Sequence, residues 1–136
     1  MQVQAGGNMN TGRWGEELVA RQLKATLKSA VVTWVNEEEE RGLPYDIVIV
    51  EPNDDATSGY RESFIEVKAT TSADKALFEV SMAELDFARQ QGAAYALYRV
   101  FNARSQHALV AKLHNVSRCI GHGGLVLFAG VAGTSE

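Results

Sequence analysis

The chain has 136 residues, 46% of them apolar and 22% charged, which is enough for one soluble-type domain with a core and little more. Its net charge of −4 argues against a purely electrostatic nucleic-acid binder, which would be basic, but not against a site that gathers carboxylates around a cation. A single cysteine, Cys119, excludes an intrachain disulfide, and no Cys/His cluster suggests zinc. No apolar run approaches the ~20 residues of a membrane helix. The first residues lack the charged and apolar regions of a secretory signal, so the expected location is a reducing intracellular compartment, cytoplasm or nucleus.

Met1 to Asn10 is polar, contains glycine and has no periodicity, which predicts a disordered arm or linker at the edge of a domain. Asn10 or Thr11 can cap a helix running to about Lys28, with Glu16, Val19, Ala20, Leu23 and Leu27 on one face. Glu17 falls on the outer side, at i,i+4 spacing from Arg21. Glu16 is thus a carboxylate aimed toward the core, unless it serves the helix dipole or a cap.

Val31–Val35 reads as a strand and Glu37–Glu40 as a solvated acidic loop. Gly42 and Pro44 mark a turn, and Tyr45–Val50 is a strand apolar enough for burial on both faces, with Asp46 at its mouth. After a turn cluster from Pro52 to Gly59, Ser63–Lys68 is a further strand, joined to the previous one most simply as an antiparallel hairpin. Alternation puts Glu66 and Lys68 on one face and Ile65 and Val67 on the other. This pair is either an ion pair on a solvated face or a metal ligand beside a functional lysine.

A polar loop follows, then a short extended segment at Leu77–Val80. Ser81 and Glu84 form a capping box that opens a second helix ending near Gly92. Ala94–Phe101 is a strand with Tyr95, Leu97, Arg99 and Phe101 on one face, and Ala108–Leu113 is another candidate. Leu125–Phe128 suggests an edge strand or docking segment. The fold class is therefore α/β, a mixed central sheet flanked by helices in the order αβββαβ. The expected divisions are an arm at 1–10, the domain at 11–115 and an extension at 116–136.

A hairpin register could bring Asp46, Glu66 and Lys68 together. Two carboxylates, the Val67 carbonyl and water suit Mg²⁺ or Mn²⁺, and Lys68 could orient a nucleophile or offset developing negative charge. The ordered elements with Asp46 and Glu66-Val67-Lys68 resemble the core of the PD-(D/E)xK nuclease superfamily, the restriction endonuclease-like fold. Gly12-Arg13-Trp14-Gly15-Glu16-Glu17-Leu18 is similar to the first helix of its resolvase-like members, where a glutamate completes the site; the match falls on Glu16. A closer resemblance is to the C-terminal domain family named after the plant protein NO VEIN. It rests on Gly12–Glu17, Trp34–Glu37, Gly42–Val48, Ile65–Thr70 and Tyr98–Asn102, spanning about Thr11 to Leu113.

That resemblance implies a metal-dependent nuclease domain acting on nucleic acid, DNA before RNA, with Glu16, Asp46, Glu66 and the Val67 carbonyl holding Mg²⁺ or Mn²⁺ and Lys68 assisting. It also implies a multidomain parent, beside a helicase or GHKL-type ATPase, and is compatible with a homodimer. The alternatives are a silent module that binds nucleic acid or protein, and a pure interaction domain. Ser72, Lys75 and Arg99 are further candidates for nucleic-acid contact, against ordinary loop polarity for the first two and a pairing with Glu84 for Arg99. Trp34 and Tyr98 could stack on bases or belong to the core. His107, His114 and His122 receive no role, and no phosphate-binding glycine loop is present.

Overall fold

The computed structural model describes residues 7–54, 59–129 and 131. In chain order it contains α1 (Gly7–Thr26), β1 (Val31–Trp34), β2 (Ile47–Pro52), β3 (Tyr60–Ala69), α2 (Met82–Gln91), a 3-10 turn (Gly92–Ala94), β4 (Tyr95–Phe101), β5 (Leu109–His114) and α3 (Val116–Gly121). The expected αβββαβ order is present, with β5 and α3 appended. One mixed sheet lies at the centre, its strands side by side in chain order. Every neighbouring pair is antiparallel except β3 with β4, which run parallel. A parallel pair requires a long crossover, and residues 70–94, carrying α2, supply it.

The sheet separates two cores. On one face α1 contributes Val19, Ala20 and Leu23, which meet Ile47, Ile49, Ile65, Val67, Ala96, Tyr98 and Val100. Gly15 sets the distance: a Cβ there would lie 2.7 Å from the Ala69 Cβ, so only glycine lets α1 settle this closely on β3. On the other face Phe64, Tyr95 and Leu97 meet Ala88 of α2 and Val116 of α3. Tyr45, Phe64, Phe87 and Tyr95 form a chain of ring contacts 4.9–5.6 Å apart there.

The capping box forms as expected: the Ser81 side chain accepts from Glu84 N, and the Glu84 side chain accepts from Ser81 N. Helix α1 begins four residues before Thr11, so neither Asn10 nor Thr11 caps it, and Thr11 is buried within it. The sequence Gly7-Asn8-Met9-Asn10 has no apolar repeat, and periodicity cannot reveal such a segment. Of the expected arm, residues 1–6 lie outside the described residues and Gly7–Asn10 belong to the helix.

Leu77–Val80 forms no strand. Nor does Leu125–Phe128. Instead Asn115, at φ 58°, caps the short α3 through its side chain, Leu125 N donates to Cys119 O at 3.1 Å, and Leu125 packs on the second core. Val126, Leu127 and Phe128 are exposed.

Candidate active site

The site arises where β2 stops and β3 continues. The β2–β3 ladder ends at the Ile47–Ile65 pair, and Asp46 N closes it by donating to Ile65 O at 2.8 Å. From Glu66 to Ala69, β3 has only β4 beside it. Val67 turns its N–H to the vacated edge and donates to Asp46 Oδ2 at 2.8 Å. In an extended strand the N–H and C=O of one residue face the same edge, so the Val67 carbonyl opens onto this gap too. Two residues earlier, the Tyr95 hydroxyl donates to Pro44 O at 2.9 Å, fixing the approach of the chain to Asp46.

Asp46 is joined to α1 by a residue to which the sequence assigned no role. The Asn36 side-chain amide donates to Asp46 Oδ1 at 2.9 Å and to Glu16 Oε1 at 3.2 Å. Trp34 Nε1 donates to the same Glu16 oxygen at 2.8 Å. The Asn36 carbonyl oxygens are both engaged, the backbone one by Arg13 Nη1 and the side-chain one by Arg41 N. Arg13 also stacks over the Trp34 ring at 4.8 Å. Glu16 therefore points inward as its helical position required, and it lies too far along α1 to cap or complement the N-terminus. Glu17 pairs with Arg21 on the exposed side at 2.8 Å.

Glu66 and Lys68 share the α2 face of β3 and are buried or nearly so; they do not form a solvated pair. Lys68 Nζ lies 3.0 Å from Glu84 Oε1 and 3.3 Å from Glu66 Oε2. Glu84 is the second residue that the sequence did not place in the site: its capping role was legible, its contact with Lys68 across the crossover was not.

Burial pushes the Asp46 carboxyl up to about 7, and the negative charge of Glu16 adds to it, against the lowering effect of the Val67 N–H. Glu66 is pushed up to about 10, first by burial and then by Asp46 and Glu84. Burial alone would lower Lys68, but Glu66 and Glu84 outweigh it and hold the ammonium above its ordinary value. Burial thus opposes ionisation of Glu66 more strongly than the nearby ammonium favours it, while Lys68 sits between the Glu66 and Glu84 carboxyls.

The residues present suit a hard divalent cation. Glu66 Oε1 is buried with no hydrogen-bond partner, next to a second carboxyl whose ionisation burial also opposes. A group so costly to leave unmatched is what an added cation would satisfy, and the donors are all oxygen. Asp46, Glu66 and the Val67 carbonyl are the fitting set. Among the described residues no three of His, Cys, Asp and Glu converge as a ready metal-binding group. Glu16 stands apart from the other two carboxylates, tied to Asp46 through Asn36.

Of the other candidates, Ser72 is engaged within its own loop, its hydroxyl accepting from Asp74 N and Lys75 N. The Lys75 side chain is exposed while its carbonyl accepts from Arg99. Arg99 is the register partner of Lys68, and its guanidinium bonds the crossover loop rather than Glu84. Buried, it donates to Lys75 O at 2.7 Å and Leu77 O at 3.3 Å, between the rings of Phe78 and Phe101, and so ties the crossover loop to β4. Tyr98 belongs to the first core, and Trp34 packs against it while holding Glu16. His107, His114 and His122 lie on the β4–β5 hairpin, β5 and the end of α3.

Comparison with known proteins places the chain. It is 36% identical over 107 residues, 78% of its length, to Protein NO VEIN-LIKE of Arabidopsis thaliana, covering 15% of that protein. It is 36% identical over 110 residues, 80% of its length, to Protein NO VEIN of the same plant, covering 4% of it. The chain therefore spans only a small part of these curated relatives. No solved structure matches it. The family model described as Protein NO VEIN, C-terminal matches residues 15–113, the stretch that holds α1 from Gly15, the hairpin with Asp46 and the Glu66-Val67-Lys68 strand, and the chain belongs to that family.

Proposed function

We propose that this domain is a Mg²⁺- or Mn²⁺-dependent phosphodiesterase of the PD-(D/E)xK type that hydrolyses nucleic acid, DNA in preference to RNA. The observation that carries the reading is the unpartnered, buried Glu66 Oε1 beside Asp46 and Lys68, where the end of β2 leaves one edge of β3 open. Asp46, Glu66 and the Val67 carbonyl would hold the cation, which when bound lowers the pKa of water and neutralises phosphate charge. Lys68 offers an ammonium at the same face for the attacking water or the scissile phosphate. Glu84 keeps that ammonium charged and directed, and the Glu16–Asn36 pair holds the Asp46 carboxylate in place. The small share of the curated relatives that the chain covers supports a role as one module of a longer polypeptide. A helicase or GHKL-type ATPase is the companion proposed for it.

The test is cleavage of end-labelled single-stranded, duplex and branched DNA with added Mn²⁺. Wild type is expected to exceed Asp46→Ala and Lys68→Ala by at least ~10²–10³-fold, the cost of removing a principal electrostatic group from such a site. Equal rates for all three proteins on every substrate overturn the reading.

A second reading is a silent nuclease-fold module that binds nucleic acid or a protein. The observation that favours it is the seating of Lys68 on Glu84, with no ready three-residue metal-binding group at Asp46 and Glu66 among the described residues. Titration calorimetry separates the two: absence of Mn²⁺ binding that depends on Asp46 supports the silent module.

A further inference from the structure

One turn of α1 faces three ways. Glu16 turns toward Asn36 and Asp46, Gly15 lies on Ala69, and Trp14 turns toward the β4–β5 hairpin. Trp14 is half-buried against the first core and forms one wall of an open groove of about 550 Å³, whose other walls are Arg104, Ser105, Gln106 and His107. That volume falls within the ~300–1,000 Å³ of small-ligand clefts.

The groove lies at the same end of the sheet as the carboxylate cluster, with Trp14 on the α1 side and Glu66 and Lys68 on the α2 side. Thr70 N donates to Val100 O, Asn102 N to Ser72 O and Ala103 N to Thr70 O, all at 2.9 Å, so the hairpin is stitched to the residues that directly follow Lys68. Ala103 is buried and anchors it.

The hairpin is braced so that its polar side chains project. Ser105 Oγ donates to Asn102 O and accepts from His107 N, and Asn102 Nδ2 donates to His107 O. Arg104 holds φ at 70°, a conformation that suits glycine, yet carries the largest cationic side chain. Arg13, Arg21, Arg61, Arg89 and Arg99 reach carboxylates or carbonyls, whereas Arg104, like Arg41, is exposed and makes no ion pair among the described residues. In a chain of net charge −4, an unengaged guanidinium and an imidazole beside a half-buried indole form a local site for an anion with a flat apolar part.

We propose that this groove binds one nucleotide of a single-stranded nucleic acid, the base against Trp14 and its phosphate on Arg104 and His107. Stacking on an aromatic face tolerates every base, and Arg adds the backbone contact. The choice of ligand rests on the nucleic-acid reading of the adjoining cluster, and it adds to that reading a place where the strand is gripped outside the reacting centre.

The experiment is fluorescence anisotropy of a labelled oligothymidylate with the full chain in EDTA, repeated over a salt series. Arg104→Gly is the decisive variant, because glycine relaxes the backbone at that position and the fold is expected to be as stable as wild type or more so. It is expected to lower affinity several-fold and to reduce the slope of log affinity against log salt by ~0.7, the loss of one single-strand phosphate contact. Trp14→Leu is expected to lower affinity ~5–150-fold through loss of stacking. Wild-type affinity and slope in Arg104→Gly overturn the proposal, as does displacement of the oligonucleotide by polyglutamate at equal charge concentration. The two readings fail separately. Cleavage that is unaffected by Arg104→Gly sinks the groove and leaves the nuclease standing. Groove-dependent binding in EDTA with no cleavage in Mn²⁺ sustains the groove and sinks the nuclease.

Discussion

On the α1 face of the sheet, Val19, Leu23, Ile47, Ile65 and Val100 fill the interface with carbon, and Glu16 Oε1 accepts from both Trp34 and Asn36. On the α2 face, the aromatic cluster of Tyr45, Phe64, Phe87 and Tyr95 shares its surface with Glu66, Lys68, Glu84 and Arg99. Two buried polar atoms there, Glu66 Oε1 and Arg99 Nε, have no partner. Both faces are covered by helix, yet among the described residues only the α2 face carries unpartnered buried polar atoms. The difference teaches which face supplies the stability and which one draws on it: apolar burial under α1 offsets the cost of keeping carboxyls dry beside α2.

The contrast can be broken from either side. Truncation under α1 should be costly: Leu23→Ala is expected to lose about 3 kcal/mol in a urea titration, the scale of a cavity left by a buried leucine. A loss below about 1 kcal/mol would mean that α1 contributes less than its packing suggests.

Neutralising the α2 face should have the opposite sign. Without metal at pH 8, Glu66→Gln is expected to raise stability by roughly 1–3 kcal/mol, since the fold otherwise has to hold a proton that the unfolded chain releases. The sign follows from the direction of the shifts. Asp46 and Glu66 are raised in the folded state, from 3.8 to about 7 and from 4.5 to about 10. A group of this kind withdraws stability as pH climbs from its unfolded value to its folded one. Wild type in EDTA should therefore lose Tm steadily from about pH 5 toward pH 10, with a flatter profile in the variant. A wild-type Tm that rises across this range would contradict the buried, proton-retaining carboxyl.

The smallest effect belongs outside both faces: Glu17→Ala removes an exposed pair with Arg21 and should change stability by less than ~0.5 kcal/mol by the same titration.

Much of the architecture was legible because it rests on local or periodic signals. The alternation at Glu66 and Lys68, the hairpin that carries Asp46, the inward Glu16 and the Ser81–Glu84 box are each set by the pleat, the helical repeat or a cap. The start of α1 was not, because Gly7–Asn10 contribute no apolar stripe, and α3 was not, because six residues are too few for a period. The site was harder. Asn36 joins Glu16 to Asp46 across spacings of 20 and 10 residues, and no local rule marks a lone asparagine as the link between two carboxylates. Glu84 shows its cap in the sequence, but its second bond, to Lys68, exists only after the crossover has folded over β3. Arg99 has the same character. Its partners are backbone carbonyls of a loop whose path the sequence did not define.

The bond from the Tyr95 hydroxyl to Pro44 O closes a span of 51 residues. Every residue of the Asp46 and Glu66-Val67-Lys68 signature lies before Tyr95, and the antiparallel hairpin that carries them can form early from near neighbours in the chain. The Tyr95 strut reaches Pro44 after β4 has added itself in parallel and the crossover is ordered, and such distant pairings are the slow steps of folding. During synthesis the signature thus leaves the ribosome well before its geometry exists. The half-made chain carries the letters of the site without the strut that holds Pro44 in place.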